Sequence, residues 1–494
     1  MTNKKTISEY EVRLERLNRI KKLGVNPYPA RFDKKNSVME IKEAKDGAKL
    51  KTAGRLMLLR DMGKLCFCHL QDFSGRAQIA LKQDEIGKEK YKFFIDHLDA
   101  GDFVGMEGEI FTTHKGEKTL LVKKYEFLGK ALRPLPEKWH GLKDEEACWR
   151  QRYLDLIANE ETRKRFIFRS EFIRVLREFY WQQGFLEVET QTLTHAPTGA
   201  SATPYKTHNN ALDLDVFLRI SLELPLKELI VGGYEKVFEI GKAFRNEGAD
   251  PSHLPEHTSL EHYAAFWNFE DNMKFTEEMF AYLFKHLKLS KKISVIGKDG
   301  KSREVDFATP WQKVDFIKMI KKDSGIDIEK IKDGKELKKE IKKKKIEIEE
   351  MEAMGYGSLV DALYKKVSRP NLVGPLFLYN YPVECQPLAR RSDEDKTKVE
   401  QFQLIVNGLE IVKAYSELVD PLDQAERFKE QAKAAAKGDR EAQAGDDEYV
   451  LAMEYGMPPI SGWGLGIDRI ITILTGQTNL RDVVLFPLMR PKEK

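Results

Sequence analysis

Hydrophobic spacing changes character three times along the chain. In residues 7–23, Leu14, Leu17 and Ile20 recur on one helical face, and Gly24 stops the helix before an extended NPYP segment. From Thr52 to Gly129 the pattern becomes short alternating runs (GRLMLLRD, CFCHLQDF, AQIALK, DFVGMEGEIF and TLLVKKYEFL), punctuated by Gly63, Gly75 and Gly116. Strands of that length and spacing predict a small closed barrel. The polar, proline-bearing stretch 131–146 predicts a domain boundary. Helical spacing returns at Phe168, Phe172, Val175, Leu176 and Phe179, ending before Gly184.

The rest mixes the two periods. FLRISLELPLK alternates as a strand would, with Glu223 among Ile220, Leu222 and Leu224. Val237, Phe238 and Ile240 open a strand that ends at Phe244; a loop with glycine, aspartate and two prolines leads to a returning strand, Glu256 to Tyr263. Residues 327–351 read as a charged helical excursion, whose lysine run is by default a solvated face. GPLFLYNYPVECQPLAR re-enters the core, QFQLIVNGLEIVKAYSELVD forms a hairpin turning at Asn407-Gly408, and LRDVVLFP closes the sheet. Five short strands in a closed barrel match an OB-fold.

Composition narrows the class. The 494 residues are 41% hydrophobic and 33% charged, enough for two or three domains each with its own core. A net charge of +4 is too small for a nucleic-acid binder driven by its overall field, so any RNA contact must come from local patches. The N-terminal MTNKKTISEYEVRLERL lacks an apolar signal core, no stretch is long enough to span a membrane, and only four cysteines occur. These features predict a cytoplasmic protein in a reducing compartment. Cys66 and Cys68 share a strand face with no partner ligand at metal spacing, and read as buried thiols.

Candidate chemistry gathers in VFEIGKAFRNEGADPSHLPEHTSLEHY (237–263). Paired strands place Arg245, Glu247, His253, His257 and Glu261 around one cleft. A guanidinium grips phosphate or carboxylate, an imidazole stacks on a base, and a carboxylate holds an ammonium. A surface hairpin with scattered charges is the bland alternative. Glu223 is either a salt-bridged structural acid or a ligand for a cation. In the later hairpin Lys413, Tyr415 and Glu417 share a face, with Glu410 on the other unless a bulge shifts the parity. No Ser-His-Asp set, GxSxG or phosphate-binding GxxxxGK loop is present.

FRNEG followed by PEHTSLEHY resembles the second signature motif of class II aminoacyl-tRNA synthetases, in the form carried by lysyl-tRNA synthetases. GWGLGIDRI (Gly462 to Ile470) resembles the third motif and GFLEVET (Gly184 to Thr190) the first; RQRYLDLI, ALDLDVFLRI, PLAR and LFPLMRP extend the likeness over nearly the whole chain. The resemblance implies an α+β multidomain fold. A helical extension (1–50) would precede an OB-fold anticodon-binding domain (51–140). A catalytic domain (141–494) would follow, built on an antiparallel sheet flanked by helices, with a charged helical insertion near 312–368. It implies activation of L-lysine by ATP with Mg²⁺, transfer to tRNA(Lys), and a homodimer formed through the first motif. It places Arg60, Phe67, Gln78 and Glu117 on the anticodon. It puts Glu223, Glu417 and Tyr263 on the lysine ε-ammonium, and Glu261, with Gly199, at the α-ammonium. Arg245, Glu247, His253, His257, Glu410 and Arg469 fall on ATP, with Arg245 and Arg469 catalytic and Glu410 on the metal. A bulge must then bring Glu410 onto the face of Glu417. Arg390 falls on the rim with no assigned role. The chain departs from the family pattern at Gln191 (proline), His257 (phenylalanine), Gln403 (glutamate) and Lys413 (asparagine). Lys413 is expected to reach the lysine carboxylate or the α-phosphate rather than pair with Glu417. The departures leave a non-catalytic or altered-substrate paralogue that binds tRNA as the alternative.

Overall fold

The computed structural model describes residues 8–136, 142–200, 202–248, 250–297, 300–331, 333–436 and 445–492. It falls into two compact units, 1–143 and 144–494. Within the expected boundary stretch 131–146, residues 137–141 lie outside the described residues, as does Ile7 at the start of the first expected helix.

The first unit is a five-stranded closed barrel in the order β1-β2-β3-β5-β4: β1 Lys49–Asp61, β2 Leu65–Gln71, β3 Arg76–Lys82, β4 Phe103–Thr112 and β5 Lys118–Gly129. Alternation drives closure, because every second residue faces inward. On β2, Cys66, Cys68 and Leu70 are buried with Ile79, Leu81, Val104, Met106, Leu120 and Val122, while Phe67 and His69 face out. The two thiols stand 3.5 Å apart in that core. The helix Glu9–Lys22 starts in a Ser8/Glu11 capping box and contributes Ile20 to the same core. Leu14, expected on its apolar face, is exposed; Arg13 is buried instead, donating to the carbonyls of Ala100, Ala131 and Arg133.

The second unit is built on an eight-stranded sheet in the order β14-β15-β16-β17-β18-β11-β10-β6. Its strands are β6 Leu186–Glu187, β10 Lys236–Phe244, β11 Glu256–Ala265, β14 Gln312–Asp315, β15 Leu376–Pro382, β16 Lys398–Val406, β17 Leu409–Ser416 and β18 Ile460–Gly466. Only the two outermost pairings are parallel. A three-stranded sheet, β7 Leu193–Thr194, β9 Leu214–Leu218 and β8 Tyr205–Asn209, and the hairpin β12 Lys292–Ile296 with β13 Ser302–Asp306 complete it. One face of the large sheet is sealed by the helices Glu160–Gln182 and Phe269–His286, through Phe172, Val175, Phe179 and Phe280. At the β14–β16 edge the other face carries the helices Phe316–Ser324, Gly334–Lys343 and Tyr356–Val367. The lysine-rich helix covers only 334–343 of the expected excursion and buries Leu337 and Ile341, one turn apart.

Two expected strands take other forms. Glu223 does not lie on a strand: it opens the helix Glu223–Val231. Leu222, Leu226 and Ile230, spaced by four, pack together, so helical burial wins over the two-residue alternation. LRDVVLFP does not close the sheet either, because arginine side chains take the place of a neighbouring strand. Arg152 donates to the carbonyls of Arg481, Val484 and Leu485, Arg165 to Asp482 and Arg169 to Val483.

Candidate active site

The centre of the large sheet has a core face and a site face, separated residue by residue. On β11, Leu260, His262 and Ala264 face the core, while His257, Ser259, Glu261 and Tyr263 face the other way. On β18, Trp463 and Leu465 belong to the core, and Gly462, Gly464 and Gly466 lie beside Tyr263, Glu261 and Ser259. The third motif thus builds a floor without side chains. A Cβ on Gly462 would fall 2.2 Å from Glu417 Oε1 and 2.4 Å from Tyr263 Cε1. The hairpin β16–β17 turns at Asn407 (φ 51°) and Gly408 (φ 69°). Leu404 then faces Val412 while Ile405 faces Glu410, a bulge at Ile411. Ile411 and Val412 both enter the core, and Glu410 joins Lys413, Tyr415 and Glu417 on the site face.

One end of this face is a buried ionic cluster. Glu223 and Glu417 flank the Lys227 ammonium at 2.6 and 2.5 Å, and all three side chains are buried. The Tyr415 hydroxyl donates to Glu223 Oε1 at 2.6 Å, and the rings of Tyr263, Tyr415 and Tyr449 lie 5.7, 5.6 and 5.7 Å from the ammonium. Burial works against the charge on Lys227, but Glu223 and Glu417 outweigh it and hold the group protonated. Glu417 is pushed up by burial and by Glu223, against the pull of Lys227. The Gly462 backbone N–H also acts on its carboxylate, lowering its pKa. Gly199, at φ 85°, passes directly over this end: an added Cβ would meet Ser221 Cβ at 3.1 Å and Glu223 Cβ at 3.2 Å. Glu261 stands next along β11, accepting from Ser221 Oγ and the Leu222 N–H at 3.3 Å each. Burial, reinforced by Glu223, raises its carboxyl to about 7.

The other end is cationic. Arg245 makes one long bond, to the Ile220 carbonyl at 3.4 Å, which leaves most of its guanidinium fork for a ligand. Arg469 donates to the Glu410 carbonyl at 3.0 Å and lies 3.7 Å from Glu410 Oε1. His257 sits between them; burial and the charges of Arg245 and Arg469 push it down to about 3, so its ring is neutral and free to stack. Glu247 is exposed on the loop, and His253 is held at 2.8 Å by Asp250 in the turn beyond. Lys413 makes no hydrogen bond or ion pair among the described residues; its ammonium lies 6.0 Å over the Tyr415 ring. Glu417 is paired instead with Lys227.

Fitness for Mg²⁺ turns on the donors. Gln403, cross-strand from Lys413, is neutral. Glu410 is one carboxylate facing Lys413, Arg469, Arg369 and Lys365, and against the effect of burial these cations hold it below its usual pKa. No group of three or more His, Cys, Asp or Glu among the described residues is placed to hold a metal ion. A protein-only divalent site does not fit here. A single carboxylate suits an ion that arrives on phosphate ligands.

On the barrel, Arg60 pairs across β1–β2 with Phe67, and His69 across β2–β3 with Gln78, which puts Arg60, Phe67 and Gln78 on one outer face. Gln78 donates to Thr119 at 2.9 Å, and Glu117 is exposed two residues earlier. Phe67 is half-buried and outside the core.

Comparison with known proteins agrees with this division. Residues 144–490 match the family of class II tRNA synthetases (D, K and N), and residues 50–128 the OB-fold nucleic acid binding domain. The lysine–tRNA ligase of Thermosipho africanus is 46% identical over 97% of this chain and 96% of the relative. That of Carboxydothermus hydrogenoformans is 43% identical over 98% of each. The chain belongs to the class II lysyl-tRNA synthetases. In this synthetase, sequence reasoning missed Lys227, Ser221 and Tyr449. The signal for Lys227 was present: Glu223 and Lys227 are four apart, an ion-pair spacing on a helix but not on a strand.

Proposed function

We infer that the protein activates L-lysine with ATP and transfers the lysyl group to tRNA(Lys). The observation that carries this reading is the polarity of one continuous face, with buried acids at one end and free cations at the other, joined by a glycine floor. An amino acid with two ammonium groups lies along it with its carboxylate toward Arg245. In the first step a lysine carboxylate oxygen attacks the α-phosphorus of ATP; a P–O bond forms, and the bond to pyrophosphate breaks. In the second, the tRNA 3′-terminal hydroxyl attacks the lysyl carbonyl and releases AMP. No side-chain nucleophile takes part, so catalysis is positioning and charge neutralisation. Arg245 holds the α-phosphate, Arg469 the leaving pyrophosphate, His257 stacks on adenine, and Glu247 and His253 close the nucleotide from the loop. A Mg²⁺ ion arriving on the ATP phosphates would be held by Glu410 and would neutralise charge on the leaving pyrophosphate. Lys413 reaches the lysine carboxylate or the α-phosphate. Glu223 and Glu417, with Tyr263, hold the ε-ammonium, and Glu261 the α-ammonium.

Arg60, Phe67, Gln78 and Glu117 read the anticodon from the barrel, domain 51–140; residues 1–50 form its helical extension and 141–494 the catalytic domain. The protein works in the cytoplasm as a homodimer; exposed Trp181, Leu186 and Leu193 around the first motif support that association. No helix among the described residues is long and apolar enough to cross a membrane.

Lysine-dependent ATP–pyrophosphate exchange tests the activation step. Removing one partner of a buried charge pair costs about 2–5 kcal/mol. Glu223→Ala and Glu417→Ala should each raise the lysine requirement well over tenfold. Unchanged lysine dependence in both variants refutes the assignment.

A further inference from the structure

The two acids at the lysine end already hold a cation of the protein's own. We propose that Lys227 is a specificity-determining residue: it neutralises one of the two buried carboxylates, so the pocket lacks one positive charge, which only a side-chain ammonium supplies. This rests on the lysine-activation reading above and deepens it.

The count follows from the geometry. Two carboxylates, Glu223 and Glu417, meet one ammonium at 2.6 and 2.5 Å, so one acid is left without a cation of its own, and burial pushes Glu417 toward its protonated form until a second ammonium arrives. The surrounding groups supply no second cation. Tyr263, Tyr415 and Tyr449 are neutral, and burial pushes each phenol further from ionising. Glu261, farther along β11, is a further acid whose carboxyl burial raises to about 7, and it supplies no cation. Lys227 cannot swing out to exchange with solvent, since its side chain is 1% exposed and its helix is packed through Leu226 and Ile230. Buried net charge is costly unless paired. An amino acid with a neutral side chain leaves one acid without a cationic partner, whereas a lysine side chain supplies the second ammonium that lets both acids ionise. Specificity then comes from the charge deficit, and the shape of the cavity refines it.

The consequence is a rescue that a purely structural role for Lys227 does not produce. Glu223→Gln removes one negative charge, leaving Lys227 and Glu417 balanced without substrate. The ratio of kcat/KM for lysine to that for norleucine, which lacks the ε-amino group, should fall at least a hundredfold in pyrophosphate exchange. Adding Lys227→Met restores the deficit of one, and the double variant should recover at least tenfold of the lost ratio. The pair Glu417→Gln and Glu417→Gln/Lys227→Met repeats the count through the other acid. Calorimetric binding of lysine and norleucine reads the same ratio in any variant too slow to assay. Double variants no more lysine-selective than the single Gln variants overturn the proposal. A parent enzyme that fails to activate lysine at all would instead sink the underlying reading.

Discussion

Gly462→Ala places one methyl group at the tightest point of the lysine end. The added Cβ would stand 2.2 Å from Glu417 Oε1 and 2.4 Å from Tyr263 Cε1, with Tyr263 Cδ1 at 3.0 Å. Non-bonded heavy atoms rest at about 3.5 Å, so more than about 1 Å of overlap must be relieved. The strand cannot retreat: β18 is hydrogen-bonded to β11 on one side and β17 on the other, with Gly462 opposite both Tyr263 and Tyr415. Relief therefore falls on the side chains. Glu417 is held at 2.5 Å from Lys227, and the Tyr263 ring lies against the same ammonium. Overpacking of this kind costs about 1–3 kcal/mol of stability. A 1 Å displacement of a positioning group costs on the order of a hundredfold in rate. The expected result is a fall in kcat/KM for lysine of about a hundredfold. The KM for ATP should stay within about twofold, since Arg245, His257 and Arg469 do not touch this glycine and one kcal/mol would already exceed that change. Pyrophosphate exchange, run once against lysine and once against ATP, separates the two. Equal losses in both, or none in either, would refute the placement of the ε-ammonium beside Gly462.

Three further outcomes follow from the same geometry. Glu261, raised to about 7, must be ionised to hold an ammonium, so kcat/KM for lysine should rise about tenfold per pH unit below 7 and level off above it; Glu261→Gln should remove that limb. Phe67→Ala should slow aminoacylation by the loss of about 1–3 kcal/mol of stacking per base while leaving lysine activation intact, and equal losses in both assays would make Phe67 a structural residue of the barrel. Gln403→Glu adds an anionic oxygen beside Glu410 and should lower the Mg²⁺ concentration for half-maximal exchange; a titration identical to the parent's would show that the ion does not lie there.

Most of the fold was legible because burial is one-sided. The barrel strands bury alternate residues, so their period survives in the sequence, as at Cys66, Cys68 and Leu70, while on β18 the core residues Trp463 and Leu465 alternate with glycines. The bulge at Ile411 was accessible only through the family resemblance, which asks for Glu410 and Glu417 on one face where a regular strand would part them. Legibility failed where side chains replaced backbone partners. Nothing local in LRDVVLFP says that Arg152, about 330 residues earlier, takes its carbonyls, as in the 2.8 Å bond to Arg481, or that Arg13 rather than Leu14 faces the barrel unit.

The site divides along the same line. Residues whose chemistry is complete in themselves could be named from the motifs: a guanidinium at 245 or 469, a carboxylate at 261, glycines that open a floor. A residue whose role is relational could not. The spacing from Glu223 hints at one partner for Lys227, but only the convergence of its helix with β11, the end of β17 and the helix Asp447–Glu454 gives it a second acid and three rings. That convergence also bears on the role proposed for Lys413. A lysine four residues before Glu417 on the same face has two possible anionic partners, and the sequence offers no third cation to choose between them. Once Lys227 is seated on Glu417, pairing Lys413 there as well would crowd two ammonium groups onto one carboxylate, which like-charge repulsion opposes. Lys413 instead acts electrostatically on Glu410, beside Arg469, which supports the proposal that it meets the lysine carboxylate or the α-phosphate.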